Sequence, residues 1–166
     1  MAVTGSRCQI IGVVSRRYLP GAYIASTRLV LCAAPSYLER KGIPKHPSEL
    51  VGHDVVSYSL LATGDQWHFE GPEGPISVKV RPRMWSNNGD SCIAACVQGA
   101  GIQLQPTFLI EQELRCGALI EILPQFRAAN LGMYVVYPTR KFVLPKVRAL
   151  VEFLDARLAA AAWTRL

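Results

Sequence analysis

The run from residue 84 to residue 109, MWSNNGDSCIAACVQGAGIQLQPTFL, constrains the fold more than any other stretch of the chain. An extended piece at residues 83–85 meets a cluster of cap formers, Ser86, Asn87, Asn88 and Asp90. Their short side chains accept hydrogen bonds from the N–H groups left over at a helix start. Asp90 also sets a negative charge at the positive end of the helix dipole. Ile93, Ala94 and Val97 then recur at helical spacing, and Gly99 and Gly101 supply the left-handed conformation that a tight helix exit needs. Ile102 and Leu104 open a strand, and Pro106 suits the first position of a following helix. Strand, capped helix, glycine turn, strand and helix make an α/β unit. Its two helix starts, at Asn88 and at Pro106–Thr107, are placed to offer N–H groups to a small anionic ligand.

The flanking sequence extends this α/β pattern. The apolar run at residues 28–33 suits a buried strand, with Pro35 ending it and Ser36 capping a short helix through Arg40. HPSEL at residues 46–50 reads as a helical turn closed by Gly52, and residues 54–59 as a second strand. Residues 66–69 and 76–80 flank Gly71, Pro72, Gly74 and Pro75, a hairpin pattern in which Val78 and Val80 alternate with Lys79 and Arg81. The second helix of the central unit is expected to reach about Leu114, with Gly117 closing it and a short strand at residues 119–123. Residues 131–137 are strongly strand-forming. Pro145 opens the longest helix, to about Ala162, with Val147, Leu150, Val151, Leu154 and Leu158 in one stripe. Residues 1–26 are the least patterned part: residues 9–15 suit a strand and Pro20–Gly21 a turn.

Composition narrows the function classes. The net charge of +6 invites a nucleic-acid reading, but the basic residues are scattered and form neither a long run nor a helical stripe. Five cysteines, an odd number, argue against a secreted disulfide framework. Cys92 and Cys96 lie four apart on the expected helix, but no His or acidic cluster accompanies them, so they read as small core residues and no metal is expected. There is no signal-peptide pattern and no stretch near the ~20 apolar residues of a membrane span, so the cytoplasm is the expected compartment and no membrane partner is implied.

Catalytic motifs find little support. Gly89–Asp90–Ser91 is similar to the nucleophile motif of GDS-type esterases, but such a serine needs a histidine base, and His46, His53 and His68 all precede it. Gly99-x-Gly101 is half of a dinucleotide fingerprint in the wrong order, after a helix and before a strand. No enzyme activity and no cofactor are expected.

The runs NNGD, the paired alanines, G-x-GI and L-x-P-T-F-L within residues 87–109 resemble the effector-binding domain of LysR-type transcriptional regulators. RLVLCAAPSYLERKGIPKHPSELVGHDVVSYS, WHFEGPEGPISVKVRPRM and MYVVYPTRKFVLPKVRALVEFLDARL are similar to the same family, in the family's order, so the likeness spans nearly all of residues 27–158. The resemblance implies a periplasmic-binding-protein-like α/β fold of type II, with two lobes joined by crossover strands. On that reading residues 27–35 and 131–139 are the crossovers, residues 36–130 an essentially complete second lobe, and residues 143–162 the last helix of a first lobe otherwise reduced to those strands. Residues 1–26 stay unassigned, where the family would carry a helix-turn-helix, a linker helix and more of the first lobe; an N-terminally truncated regulator is expected. The implied function is effector sensing in transcription regulation, with a small anionic or aromatic effector between the lobes. DNA would be reached only through a helix-turn-helix outside this chain. The alternative of the same fold is a stand-alone small-molecule-binding or regulatory protein that does not bind DNA. Ser86, Asn87 and Asn88, with Thr107 and Phe108, are the expected ligand-binding residues. The apolar stripe of the last helix suggests a homo-oligomer.

Overall fold

The computed structural model describes residues 8–10, 21–61, 63–136 and 145–159. The chain divides into two compact units: Arg28–Ala129, and a smaller one made of Met1–Thr27 with Asn130–Leu166.

The larger unit is built on a sheet. Strand β2, Gly21–Ala33, supplies its second half here, and Leu31, Cys32 and Ala33 in it are buried. Helix α1 (Pro35–Lys41) follows at once. The strand stops at Ala33, just before Pro35, as expected; Pro35 itself occupies the first helical turn, where its missing N–H costs nothing, and Ala34 rather than Ser36 holds the cap position. A 3-10 helix at Pro47–Gly52 is capped by His46, whose Nδ1 accepts from the Ser48 N–H at 3.2 Å. Strand β3 (Val55–Tyr58), hairpin strands β4 (Gln66–Gly71) and β5 (Gly74–Lys79), and strand β6 (Pro82–Ser86) come next. Helix α2 (Gly89–Val97), strand β7 (Ile102–Pro106) and helix α3 (Thr107–Arg115) form the central unit read from the sequence. Two short strands, β8 (Ile120–Glu121) and β9 (Arg127–Ala128), complete it. The stretch at 119–123 thus forms a strand over two residues only, and Leu123 takes a positive φ of 53°.

The sheet runs β2-β7-β3-β6, with β8 also paired to β2. β7 is antiparallel to β2, while β3 lies parallel to both β7 and β6, pairing Val55 with Ile102 and Tyr58 with Ser86. Helices α2 and α3 pack on this sheet through Val30, Cys32, Ala34, Ile93, Cys96, Ile110 and Leu119. Each large aliphatic side chain buried there stabilises the fold by about 1.5–3 kcal/mol. The inward face of α2 is Cys92, Ile93 and Cys96; Ala94 is exposed and Val97 only half-buried, so the thiols carry the packing expected of those two. Cys96 Sγ donates to the Gly101 carbonyl at 3.2 Å and Cys92 Sγ to the Ser57 carbonyl at 3.8 Å, tying the helix to the strands beneath. The hairpin β4–β5 pairs Gln66 with Lys79 through Gly71 with Gly74, and β9 adds to β4; Trp67, Phe69, Val78 and Val80 are its buried side chains.

In the smaller unit β1 (Cys8–Ile10) pairs antiparallel with β10 (Asn130–Val136), Cys8 facing Val135 and Ile10 facing Met133. The Tyr23 and Tyr134 rings meet edge to face at 5.6 Å. Helix α4 runs Pro145–Ala159. In its stripe Val147, Val151, Leu154 and Leu158 are half-buried and Leu150 is 45% exposed, beside a 59% exposed Phe153. The strand expected at 9–15 is described only as far as Ile10, and Pro20, Tyr137, residues 138–139, residues 143–144 and the helix's expected end at 160–162 lie outside the described residues.

Candidate functional site

The parallel arrangement of β3, β6 and β7 places their carboxyl ends on one edge of the larger unit's sheet. Along that edge Tyr58 lies in the middle, with Ser86, Asn87 and Asn88 on one side and Pro106, Thr107 and Phe108 on the other. The Ser59 N–H donates to the Ser86 carbonyl at 2.9 Å, closing the loop after β3 against the end of β6. Helices α2 and α3 both begin here. A Cβ on Gly89 would lie 3.3 Å from Leu109 Cδ1, so the first turns of the two helices touch.

The local chemistry sorts the expected site residues. Asn88 is the cap of α2: its Oδ1 accepts from the Ser91 N–H at 2.8 Å. Ser86 Oγ accepts from the Asn88 N–H at 3.1 Å, fixing the backbone just before the helix. Asn87 is exposed and, among the described residues, its side chain carries no structural hydrogen bond. Thr107 is wholly buried and Phe108 half-buried. Pro106, expected inside the next helix, sits one residue earlier, as its cap, with no side-chain hydrogen bond to offer. The sheet edge therefore brings all five together, but with different standing: Asn87 and Asn88 outermost, Ser86 and Phe108 half-covered, Thr107 inside.

Two polar residues went unnoticed in the sequence. Gln103 and Gln105 on β7 are 0% and 2% exposed; the Gln103 amide lies against the Cys32 thiol, and Gln105 Nε2 has no hydrogen-bond partner among the described residues. A buried amide without a partner costs about 1–3 kcal/mol. Gln105 stands two residues before Thr107, at the carboxyl end of its strand. Alternation along β7 would have put both on one face, but nothing in the pattern marked that face as covered.

The opposite, amino edge has its own polar assembly. Tyr37 Oη accepts from the Asp54 N–H at 2.9 Å and meets His53 Nδ1 at 3.0 Å. Burial pushes the Tyr37 phenol up and holds the His53 imidazole below its ordinary value. The Cys32 thiol is pushed well up, first by its hydrogen bond with Cys96 and then by burial, and burial raises Cys92 as well, which disfavours the nucleophilic thiolate in both. Among the described residues no group of three or more His, Cys, Asp or Glu side chains is placed to hold a metal ion, and no helix is long and apolar enough to cross a membrane.

An open α/β sheet with helix starts gathered at the carboxyl ends of its parallel strands belongs to the class that takes small ligands outside those ends. Residues 11–159 match the LysR substrate binding domain, and the chain belongs to that family. It is 31% identical over 131 residues to the HTH-type transcriptional regulator PtxR of Pseudomonas aeruginosa, covering 78% of this chain and 41% of that protein. It is 32% identical over 143 residues to the HTH-type transcriptional activator TtdR of Escherichia coli K12, covering 83% and 46%. The chain thus spans less than half the length of these relatives. Among solved structures, the CrgA regulatory domain of Neisseria meningitidis, a LysR-type transcriptional regulator, matches with a TM-score of 0.76 at 25% identity, covering 89% of this chain and 72% of that one. Full-length AphB, a Vibrio cholerae virulence activator, matches with a TM-score of 0.76 at 23% identity, covering 87% and 50%, a likeness of fold. The periplasmic-binding-protein-like α/β architecture expected from the sequence is the architecture of these neighbours.

Proposed function

We propose that this chain is the effector-sensing part of a LysR-type transcriptional regulator working in the cytoplasm. On this reading a small anionic or aromatic effector binds at the carboxyl edge of β3, β6 and β7. DNA is reached through a helix-turn-helix carried outside the described residues, as the HTH-type names of the relatives suggest. The observation that carries the reading is the convergence of the α2 and α3 starts on one edge, with the Asn87 amide exposed beside a cap that Asn88 already fills. Asn87 is the leading contact, Ser86 and Asn88 hold the backbone that presents it, and Phe108 offers an apolar wall. Thr107, being buried, shapes the start of α3 from beneath. Asp90, exposed in the first turn of α2, opposes a purely anionic ligand, which favours effectors that also bring a hydroxyl or an aromatic ring.

Effector binding would then bias a conformational equilibrium passed on through contacts between copies. The exposed Leu150 and Phe153 on α4 support self-association, and light scattering returning only monomer would count against it. The family assignment favours this over a stand-alone binding protein. It also disfavours the esterase reading: His46 and His68 hydrogen-bond to Ser48 and Ser77, not to Ser91. The test is a thermal-shift screen of the chain against small carboxylates, hydroxy acids and aromatic acids, followed by Asn87→Ala. Loss of affinity for the stabilising compound supports the site; unchanged affinity retires it.

A further inference from the structure

The amino edge of the larger unit's sheet, opposite the edge discussed above, holds a hollow of about 360 Å³ lined by Arg40, Lys41, Asp54, Arg83, Met84 and the turn after α2. Two cations flank one carboxylate, and a third, Arg40, lines the same hollow. Lys41 Nζ lies 3.7 Å from Asp54 Oδ2 and Arg83 Nη1 lies 3.4 Å from Asp54 Oδ1. A charge-assisted hydrogen bond is about 2.7–2.9 Å long, so neither cation is saturated by these contacts. Arg40 has no carboxylate partner among the described residues. Its guanidinium is nonetheless anchored: Nη2 donates to the Gly99 carbonyl at 2.8 Å, Nη1 approaches the Ser36 carbonyl at 3.4 Å, and the group lies 5.7 Å from the Tyr37 ring centroid.

We propose that this hollow is an anion site for a compact, multiply charged oxyanion of the phosphate class. The formal surplus of two positive charges matches a divalent anion. Arg40 caps the carbonyl end of α2 through Gly99, and Lys41 lies in the last turn of α1 where a cation suits the helix dipole, but Arg83, on strand β6, has no such role. A guanidinium carries five N–H donors in a fixed fork, and Arg40 directs two of its nitrogens to carbonyls, so donors remain for a ligand oxygen. The walls are set by backbone. A Cβ on Gly101 would run into the Asp54 carbonyl oxygen, so the turn after α2 and the start of β3 cannot shift freely. The Lys41 and Arg83 side chains are 47% and 75% exposed, which lets a ligand reach them from solvent.

Isothermal titration calorimetry of the full 166-residue chain with pyrophosphate and with inorganic phosphate, at constant ionic strength set by chloride, tests the site. Saturable one-to-one binding is expected, tighter for pyrophosphate. The Lys41→Gln/Arg83→Gln variant, altered only at exposed side chains, should lose about tenfold or more in affinity. Asp54→Asn, which removes the competing carboxylate, should tighten binding, whereas Glu111→Gln, the same change of charge on α3, should not. Asn87→Ala should leave pyrophosphate affinity unchanged, which separates this site from the effector edge. A response matched by chloride alone, retention of affinity in the double variant, or binding of duplex DNA with none of pyrophosphate would each overturn the proposal.

Discussion

Replacing Asn88 by alanine separates the structural work at the α2 start from ligand contact. The side chain Oδ1 accepts from the Ser91 N–H at 2.8 Å, and Asn88 lies outside the helix with φ −116° and ψ 121°, the extended geometry of a cap. Loss of such a cap costs about 1 kcal/mol. For a chain of this size that is a fall of about 2–4 °C in Tm. Locally it is about a fivefold faster exchange of the Ser91 amide, if opening of the first turn controls that exchange. Thermal denaturation with hydrogen exchange reads both. Asn88→Asp keeps an acceptor in the same place and should restore most of the loss, though Asp90 two residues on limits any gain from the added charge. Asn87→Ala, at an exposed position, should change stability by no more than about 0.5 kcal/mol. An unchanged Tm and Ser91 exchange rate in Asn88→Ala, or an aspartate no better than alanine, would falsify the assignment of Asn88 as the cap.

Other residues carry comparable expectations. Gly101→Ala would drive a Cβ into the Asp54 carbonyl, where only backbone can yield, and should cost about 1–3 kcal/mol, while Gly52→Ala, with open space around it, should be near neutral in the same melts. Tyr37→Phe removes the acceptor of the Asp54 N–H at a wholly buried ring and should cost about 1–3 kcal/mol, seen also as faster exchange of the Asp54 amide. Because burial holds His53 below its ordinary value of 6.5, the unfolded chain takes up a proton there first. Its contribution is therefore full above about pH 6.5 and is lost as the pH falls through the lower folded value. The unfolding midpoint should drop over that window in the native chain and less in His53→Gln; equal slopes would remove His53 from the explanation.

Much of the fold was legible because local chemistry and tertiary role coincide. Asn88 lies three residues before the amide it caps, and Val78 and Val80 alternate with charged neighbours, so short-range spacing was enough. The departures arise where a residue has two uses. Gly101 was read as a left-handed helix exit, but only Gly99 takes a positive φ, of 78°, and Gly101 is needed for close approach to Asp54. Cys92 and Cys96 turned the buried face of α2 away from Ala94, since a thiol packs like a small apolar side chain. At the candidate site the cluster at 86–88 was visible as cap chemistry. The burial of Thr107 and of Gln103 and Gln105 was not, because it depends on what lies across the sheet. The grouping of Arg40, Lys41, Asp54 and Arg83 left no signature at all: residues far apart in sequence meet only once β3, β6 and the α2–β7 turn share an edge.

The claim on which the functional account rests is that the carboxyl edge of the parallel strands receives the effector. Amide chemical-shift mapping of the chain, titrated with a compound from the carboxylate and aromatic-acid screen, addresses it most directly. The account expects the largest shifts at residues 58–60, 86–91 and 107–109, with little at Arg40, Lys41 and Arg83. Saturating shifts confined to any other surface, with residues 86–91 unmoved, would contradict it.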